Sequence, residues 1–250
     1  MQTASKADRP GRTGYANIFI PRPQNCSRVS YSMGMDIALE TIIPLLHQAA
    51  FGVLATQSTQ LPGYPFASIL PFVPDERHRP VFLISALAEH TKNLLADLRA
   101  SFLVTSQDGK NVLTAARLTI IGDVMPVDAS PELLARYLRY HPDARQYLEL
   151  GDFAFFRLNP RRARYVAGFG QMGWVDEAEW ANGLALPLAD ETNFYQMLIA
   201  ALPMGIRLLG LDRYGTDIER QGGRERQQFP NAPLGMENIG EVIKRFLVAL

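Results

Sequence analysis

Cysteine is nearly absent from this chain, whose 250 residues include a single one, Cys26. A lone cysteine excludes an internal disulfide and a zinc site built from cysteines, and the lack of disulfides suits a reducing compartment. Long apolar runs are missing too: none approaches the ~20 residues of a membrane span. The N-terminal stretch lacks the apolar core of a signal peptide. We therefore expect a cytoplasmic protein that does not bind membranes.

An excess of one charge is also lacking, because 25 lysines and arginines balance 25 aspartates and glutamates. This balance gives no bulk attraction to nucleic acid or anionic lipid. The arginines between Arg157 and Arg164 are interpreted as a solvated strand end or loop. Neither a Walker loop, a Gly-x-Gly-x-x-Gly fingerprint, a Ser–His–Asp set nor zinc-ligand spacing is present, so we expect no metal site. His47 and His78 are interpreted as structural or exposed residues.

The stretch from Gly63 to Phe102 carries the pattern around which the chain is organised. Two apolar runs separated by a proline-containing charged turn predict two strands. They are followed by Ser85, His90, Thr91 and Asn93, and then by leucines at helical spacing. Hydroxyl groups, an imidazole and the free N–H groups of a helix N-terminus suit a phosphate. The alternative is a plain helix cap made by Thr91 or Asn93.

Short strands and connecting helices are predicted for the rest of the chain, which favours an antiparallel barrel or sandwich. Asp36 and Ser130 are the expected N-caps of two helices, and Pro44 predicts a kink or a second short helix. The predicted strands are 52–56, 67–72, 81–84, 101–105, 115–127, 152–159 and 163–168. The predicted helices are 36–50, 89–97, 131–140 and 144–150. After a linker over 182–190, a helix, a hairpin (206–211 and 216–220) and a closing helix are expected.

Several motifs together resemble the pyridoxamine-phosphate-oxidase-like flavoproteins. Those motifs are Gly63-x-Pro65-x-Ala67-Ser68, Ser85-x-Leu87-x-x-His90-Thr91-x-Asn93-Leu94 and Arg117-x-Thr119-x-x-Gly122. Three further motifs make the chain similar to the HugZ-type haem-utilisation branch of that family, and the likeness covers about residues 36–174. They are His141–Pro142, Asp152–Phe153 and Gly168-Phe169-Gly170.

The resemblance implies a mainly β fold with helices, in which an antiparallel FMN-binding split barrel carries a small α+β C-terminal domain. It also implies a homodimer. We expect a disordered or extended arm over residues 1–34, the barrel domain over 35–180 and the small domain over 190–250. The resemblance assigns cofactor contacts to one set of residues, while catalytic residues are not identified. The set comprises Ala67, Ser68, Ile69, Ser85, His90, Thr91, Asn93, Arg117 and Trp174.

Local alternatives stand beside some of these roles. Arg117 is equally well explained by pairing with a carboxylate such as Asp123. His141 is interpreted first as the C-terminal cap of a helix, and Asp152 as a turn residue. In haem-degrading relatives of the family, a carboxylate in the Asp152 context is thought to contact, across the dimer, the histidine at the His90 position.

Three functions follow from this sequence. The first is an FMN-binding protein, an oxidoreductase of unknown small-molecule substrate. The second is a haem-binding or haem-degrading protein of the HugZ type. Relatives with that activity take the axial histidine from near the C-terminus, whereas no histidine follows His141 here, so His141, Tyr195 or Tyr214 would have to substitute. The third is a non-catalytic dimeric flavin-binding or interaction protein.

Overall fold

A curled, almost wholly antiparallel β-sheet and a smaller second sheet form the framework of the structure. It is a computed structural model that describes residues 35–106, 113–167, 171–237 and 239–248. The strands are β1 (Met35–Asp36), β2 (Phe51–Gln57), β3 (Pro65–Pro71), β4 (Val73–Pro74), β5 (Pro80–Ser85), β6 (Arg99–Thr105), β7 (Arg117–Pro126), β8 (Phe153–Val166), β9 (Met172–Asp176), β10 (Ile206–Leu211), β11 (Gly215–Arg220) and β12 (Gly223–Gln228). The helices are α1 (Leu39–Gln48), α2 (Glu89–Ala96), α3 (Pro131–Tyr140), α4 (Ala144–Glu149), α5 (Glu177–Ala181), α6 (Leu188–Leu198) and α7 (Ile239–Val248).

Strand β8 explains why the large sheet curls. The strands follow the order β1-β9-β8-β7-β6-β2-β3, and β5, itself paired with β4, joins at β8. Residues 153–157 of β8 pair with β5 and residues 162–166 pair with β9. The pairing of β7 with β8 shifts register between Ile121 and Gly122, and a bulge of this kind bends a strand and increases its twist. The predicted mainly β split barrel with helices is confirmed.

The core of the barrel is built around three phenylalanine rings on neighbouring segments. Phe102 lies edge-on to Phe72, at 4.9 Å between ring centroids, and to Phe82, at 5.0 Å. Helix α1 packs into the same cluster with Ile42 and Leu46, which are completely buried. The apolar residues of α1 recur at helical spacing, so its burial follows from the sequence pattern.

The predicted start of helix α1 is wrong. The backbone of Asp36 is held in a short parallel ladder beside Trp174, so the helix begins only at Leu39. Its N-cap is Ala38, which makes no side-chain cap bond. Pro44 lies within a single helix, not at a break between two. The N-cap role of Ser130, by contrast, is confirmed, because its Oγ accepts the N–H of Leu133 at 3.2 Å.

The second sheet, in the order β10-β11-β12, follows the barrel in sequence. Its apolar side packs with α6 and α7 around Leu208, Ile218, Ile239 and Ile243. The hairpin β10–β11 was predicted, whereas β12 was not, because the sequence of that strand is almost entirely polar. The described residues from Met35 onward belong to one compact unit, and the division into domains 35–180 and 190–250 stays a prediction.

Some predictions fall outside the described residues. They are the arm over residues 1–34, the turn at Asp108–Gly109 and the Gly168-Phe169-Gly170 motif. Within the described parts of the chain, no helix has the length and apolar character that crossing a bilayer requires. The cytoplasmic location stays a prediction.

Candidate functional site

A cleft of about 550 Å³ opens between the end of β3, the β5–α2 turn and helices α3 and α4. We call it the α2–α3 cleft. Its wall is mainly apolar and aromatic, with Leu70, Leu83, Ile84, Tyr147 and Phe153. Its polar residues are Ser85, His90, Tyr137, Tyr140, His141 and Asp143. A cleft of this size with a few convergent polar groups is typical of a site for a small molecule or cofactor.

His90 is the most available side chain in this cleft. It lies in the first turn of α2, half-buried, and its ring makes no hydrogen bond to any described residue. Burial lowers the pKa of His90 from its ordinary value, since a cation is disfavoured away from water. The ring is therefore neutral at pH 7 and carries a free nitrogen lone pair.

Ser85 stands beside His90 but is already engaged. Its Oγ donates to Asp152 Oδ2 at 2.5 Å and accepts the N–H of Leu87 at 3.1 Å. The backbone joins the same two segments, because Ala86 N–H donates to the Asp152 carbonyl at 2.7 Å. This link fixes the turn that leads from β5 into α2. Asp152 therefore contacts Ser85 and Ala86 of its own chain.

Thr91 and Asn93 point into the protein. The Asn93 amide donates to Thr56 Oγ1 at 3.0 Å, and its oxygen accepts the N–H of Thr59 at 2.9 Å. Asn93 therefore ties α2 to the β2–β3 connection. The hydroxyl of Thr91 is buried and has no partner among the described residues. Neither residue caps the helix, since the N-cap is Ala88 without a side-chain bond, so the alternative of a plain cap is wrong.

A flavin phosphate fits this donor set poorly. The one hydroxyl proton of Ser85 is directed to a carboxylate, and Glu89 occupies the first turn of α2, where a phosphate would approach. No lysine or arginine is among the described residues that line the cleft. A dianion needs charge-assisted donors, whereas the charged residue in the described lining is the carboxylate of Asp143.

Four of the remaining predicted site residues, Ala67, Ile69, Arg117 and Trp174, lie elsewhere, on the outer face of the barrel sheet. Ile69 and Trp174 belong to one cross-strand row, which continues through Leu103 and Arg164. The Arg164 guanidinium lies 5.1 Å from the centre of the Trp174 ring. Side chains alternate along a strand, so Ala67 and Arg117 share this face with Ile69.

The nine predicted residues therefore do not form one site within the chain. Ser85 and His90 line the cleft, whereas Ala67, Ile69, Arg117 and Trp174 occupy the outer sheet face. Ser68 alternates to the other side, where its Oγ is buried without a partner among the described residues. Ser68 differs from Ala67 and Ile69 because successive side chains along a strand point to opposite faces of the sheet.

His141 fulfils the predicted helix C-cap role and also lines the cleft. Its N–H donates to the Tyr137 carbonyl at 2.9 Å, as a cap residue does. Its ring Nε2 lies 3.1 Å from the Phe72 carbonyl oxygen, which can only accept, so Nε2 carries the proton. Burial lowers the pKa of His141. This ring is held in place, in contrast to that of His90.

A buried polar network behind the cleft was not predicted. His47 Nδ1 donates to Asp217 Oδ2 at 2.7 Å, and His47 Nε2 lies 2.9 Å from His78 Nδ1. Arg226 donates to both oxygens of Asp212 at 2.7 Å. No sequence signal reveals this network, because His47 and Asp217 are 170 positions apart. The interpretation of His47 and His78 as structural residues agrees with these contacts.

The electrostatics of this network favour ion pairs over a bound metal. Ligand atoms of His47, His78 and Asp212 do lie within 4.8 Å of one another. Arg226, however, occupies both carboxylate oxygens of Asp212, and a second cation there would be repelled. Burial alone would raise the pKa of Asp212, but Arg226 and His47 lower it, so the carboxylate stays ionised.

The fold agrees with what comparison with known proteins finds. The chain belongs to the CREG β-barrel family, whose model matches residues 43–182. It is 36% identical over 237 residues to the chloroplastic heme oxygenase HOZ of Arabidopsis thaliana, covering 84% of this chain and 73% of HOZ. It is 31% identical over 125 residues to heme oxygenase HutZ of Vibrio cholerae, covering 47% of this chain and 69% of HutZ.

A solved structure agrees with these relatives. The heme-binding protein of Mycobacterium smegmatis is 26% identical, with a TM-score of 0.53, over 84% of this chain and 95% of that one. The split-barrel resemblance is thus confirmed, and HOZ and HutZ support the haem-utilisation branch. These relatives favour the haem alternative over the FMN function that was ranked first.

Proposed function

We propose that this protein binds haem in the α2–α3 cleft and degrades it, as the names of HOZ and HutZ describe for those relatives. The observation that carries the proposal is His90. Of the four histidines in the sequence, it is the one whose two ring nitrogens are both without a hydrogen bond to the described residues. A neutral imidazole in a mainly apolar cleft is well suited to be an axial ligand of haem iron.

The other groups considered as axial ligands are less suitable. Tyr214 is almost completely buried, and its hydroxyl accepts the N–H of Leu184 at 3.0 Å. The Tyr195 ring lies 4.5 Å from the Arg139 guanidinium, and Tyr195 does not line the cleft. His141 lines it, but its Nε2 is bound to a carbonyl. His90 therefore takes the ligand role, in place of its predicted phosphate contact.

The residues around His90 would prepare it for this role. The Ser85–Asp152 bond and the Asn93 bonds fix both sides of the turn on which the imidazole stands. The apolar wall would cover the porphyrin and keep water away. Bound haem would supply an iron centre able to activate oxygen, and the protein would contribute binding, orientation and electrostatics.

FMN stays the weaker candidate, because the family fold supports it but the donors in the cleft do not. A turnover assay distinguishes a haem oxygenase from a non-catalytic haem carrier. Haem-loaded protein given a reductant in air would lose its Soret absorbance and release a linear tetrapyrrole if it degrades haem. An unchanged spectrum would leave binding without catalysis.

The test of the proposal is a haemin titration followed by absorbance, with FMN titrated in parallel. Loss of a partner around a metal ligand costs about 10–100-fold in metal affinity, so His90→Ala should weaken haemin binding by at least that much. Added imidazole should restore the Soret band of the variant. Lys92→Ala, an exposed change on the same helix, is the matched control. Flavin uptake without a Soret band would reverse the proposal.

We also propose that a second copy of the chain covers the outer sheet face. Ile69, Leu103 and Ile121 are exposed on neighbouring strands there, at 68%, 37% and 45%. Apolar residues grouped on one face indicate an interaction surface. Leu103→Glu should convert a dimer to a monomer in light scattering, while Lys92→Ala should leave the mass unchanged. A monomeric wild-type protein would contradict this proposal without affecting the one for haem.

A further inference from the structure

A second pocket, of about 330 Å³, lies between the end of α1, the end of β6 and strand β12. We call it the Arg224 pocket. It is polar, and its side chains come from segments far apart in sequence. Those that carry polar groups are Gln48, Thr105, Ser106, Arg224, Glu225 and Gln227, and Arg226 also forms part of the wall.

Arg224 is a mostly buried cation with spare donors. Its Nη1 donates to the Ala49 carbonyl at 2.7 Å, and its guanidinium lies 4.8 Å from the centre of the Tyr140 ring. Among the described residues, no carboxylate forms an ion pair with it. A guanidinium has five N–H donors, so most of those of Arg224 are available. Burial lowers its pKa, although the more distant carboxylates of Asp217 and Glu219 act in the opposite direction.

The other buried arginines nearby form ion pairs with carboxylates, unlike Arg224. Arg226 pairs with Asp212 and Asp217, and Arg136 pairs with Glu191. The protein thus neutralises its buried cations where they are structural. Arg224 keeps its charge unpaired and faces a pocket, which is the arrangement of a binding residue.

We propose that the Arg224 pocket binds a carboxylate group. The planar guanidinium matches a carboxylate with two parallel hydrogen bonds, and the remaining donors around it are neutral hydroxyl and amide groups. One cation with neutral donors suits a single negative charge better than a dianion. Glu225 also lines the pocket, but side chains alternate along β12, so it projects from the other side of the strand and forms no ion pair with Arg224.

The pocket adjoins the α2–α3 cleft. Tyr140 lies beneath Arg224 and also lines the cleft. Burial lowers the pKa of His141 most, and the hydrogen bond to the Phe72 carbonyl raises it. The positive charge of Arg224 lowers it further. Two sources would supply a carboxylate: an acidic side arm of the ligand in the cleft, which for haem is a propionate, or a separate small carboxylate. The first source rests on the proposed function, and the second does not.

The first experiment uses the protein without haem and titrates it with acetate while His141 is followed by NMR. A bound anion would offset the Arg224 charge, so the pKa of His141 should rise. Arg224→Gln should weaken acetate binding about tenfold or more, the usual effect of losing a hydrogen bond to a charged group. Gln48→Glu, on the α1 side of the pocket, should do the same by placing a negative charge there while leaving Arg224 in place. Arg245→Gln, at an exposed site, is the control and should have no effect.

The second experiment compares haemin with its dimethyl ester, which lacks the propionate charges. Tighter binding of haemin, with the difference erased in Arg224→Gln, identifies the propionate as the occupant. Acetate binding without that difference identifies a separate small carboxylate. If neither acetate binding nor the haemin–ester difference depends on Arg224, the inference is overturned. A protein that binds acetate at Arg224 but no haemin would refute the proposed function alone.

Discussion

Loss of the Glu191 charge is the change that the structure predicts to lower the free energy of unfolding most. Its carboxylate, 2% exposed, accepts from Arg136, from Arg139 Nη2 at 2.7 Å and from the N–H of Leu211 at 3.1 Å. Glu191 comes from α6 and both arginines from α3, so this one side chain joins the C-terminal segment to the barrel.

Glu191→Gln keeps the shape of the side chain and removes its charge. Arg136 is buried to 1% exposure and cannot deprotonate, so it would be left as an uncompensated cation. Breaking a buried pair in this way costs about 3–5 kcal/mol, a large share of the roughly 5–15 kcal/mol that stabilises a folded protein. With a urea m-value of about 2–3 kcal/mol/M, the unfolding midpoint should fall by about 1–2 M.

The assay is urea unfolding followed by circular dichroism and tryptophan fluorescence. Glu241→Gln removes the same charge from an exposed pair with Arg245 and should leave the midpoint unchanged. The double variant Arg136→Met/Glu191→Leu, which replaces the pair by apolar side chains, should recover most of the loss. If Glu191→Gln unfolds at the same urea concentration as Glu241→Gln, the buried pair does not hold these segments together.

Two further predictions concern the network behind the cleft and the support of helix α2. Burial lowers the pKa of His78 to about 3, so between about pH 3 and 6.5 the unfolded chain binds a proton that the folded protein does not. Stability should therefore fall as the pH drops below 6.5. In His78→Asn the urea midpoint should fall less steeply from pH 7 to 5 than in the wild type, since the other histidines, whose pKa values burial also lowers, still contribute; Asn suits the φ of 60° at that position. Asn93→Ala should lower stability by about 1–3 kcal/mol, because Thr56 and Thr59 lose their partner. A thermal melt measures this change, and an unaltered Tm would mean that water replaces the amide.

The elements that the sequence predicted well are those with local signals. Helix α3 occupies the predicted residues 131–140, because an N-cap serine, a proline in the first turn and an apolar stripe all lie within it. Strand β8 was predicted as two strands, since Pro160 and the arginines around it look like an interruption. In the structure one strand continues through them with a register shift. Gly122 permits this, because a Cβ there would lie 2.1 Å from the Asn159 carbonyl oxygen.

The candidate site was predicted only in part, and the reason is its dependence on distant residues. The motif around His90 was found because it is continuous, but its chemistry depends on what faces it. Asp152 and α3 both come from later in the chain: Asp152 accepts the hydroxyl proton of Ser85, and α3 supplies an aromatic wall of the cleft. Strand β12 was missed for a related reason. Its residue Arg226 is polar and would be expected at the surface, but it is buried where Asp212 and Asp217 pair with it.

Helix α3 connects these observations, because its two sides serve different purposes. Tyr137, Tyr140 and the C-cap His141 line the cleft, while Arg136 and Arg139 bind the carboxylate of Glu191. Tyr140 also donates from the cleft wall to Asp217, in the second sheet. The C-terminal segment therefore fixes the position of the wall against which a ligand would rest. It also carries Arg224, so the segment that the sequence left without a role would contribute both the support and the charge of the site.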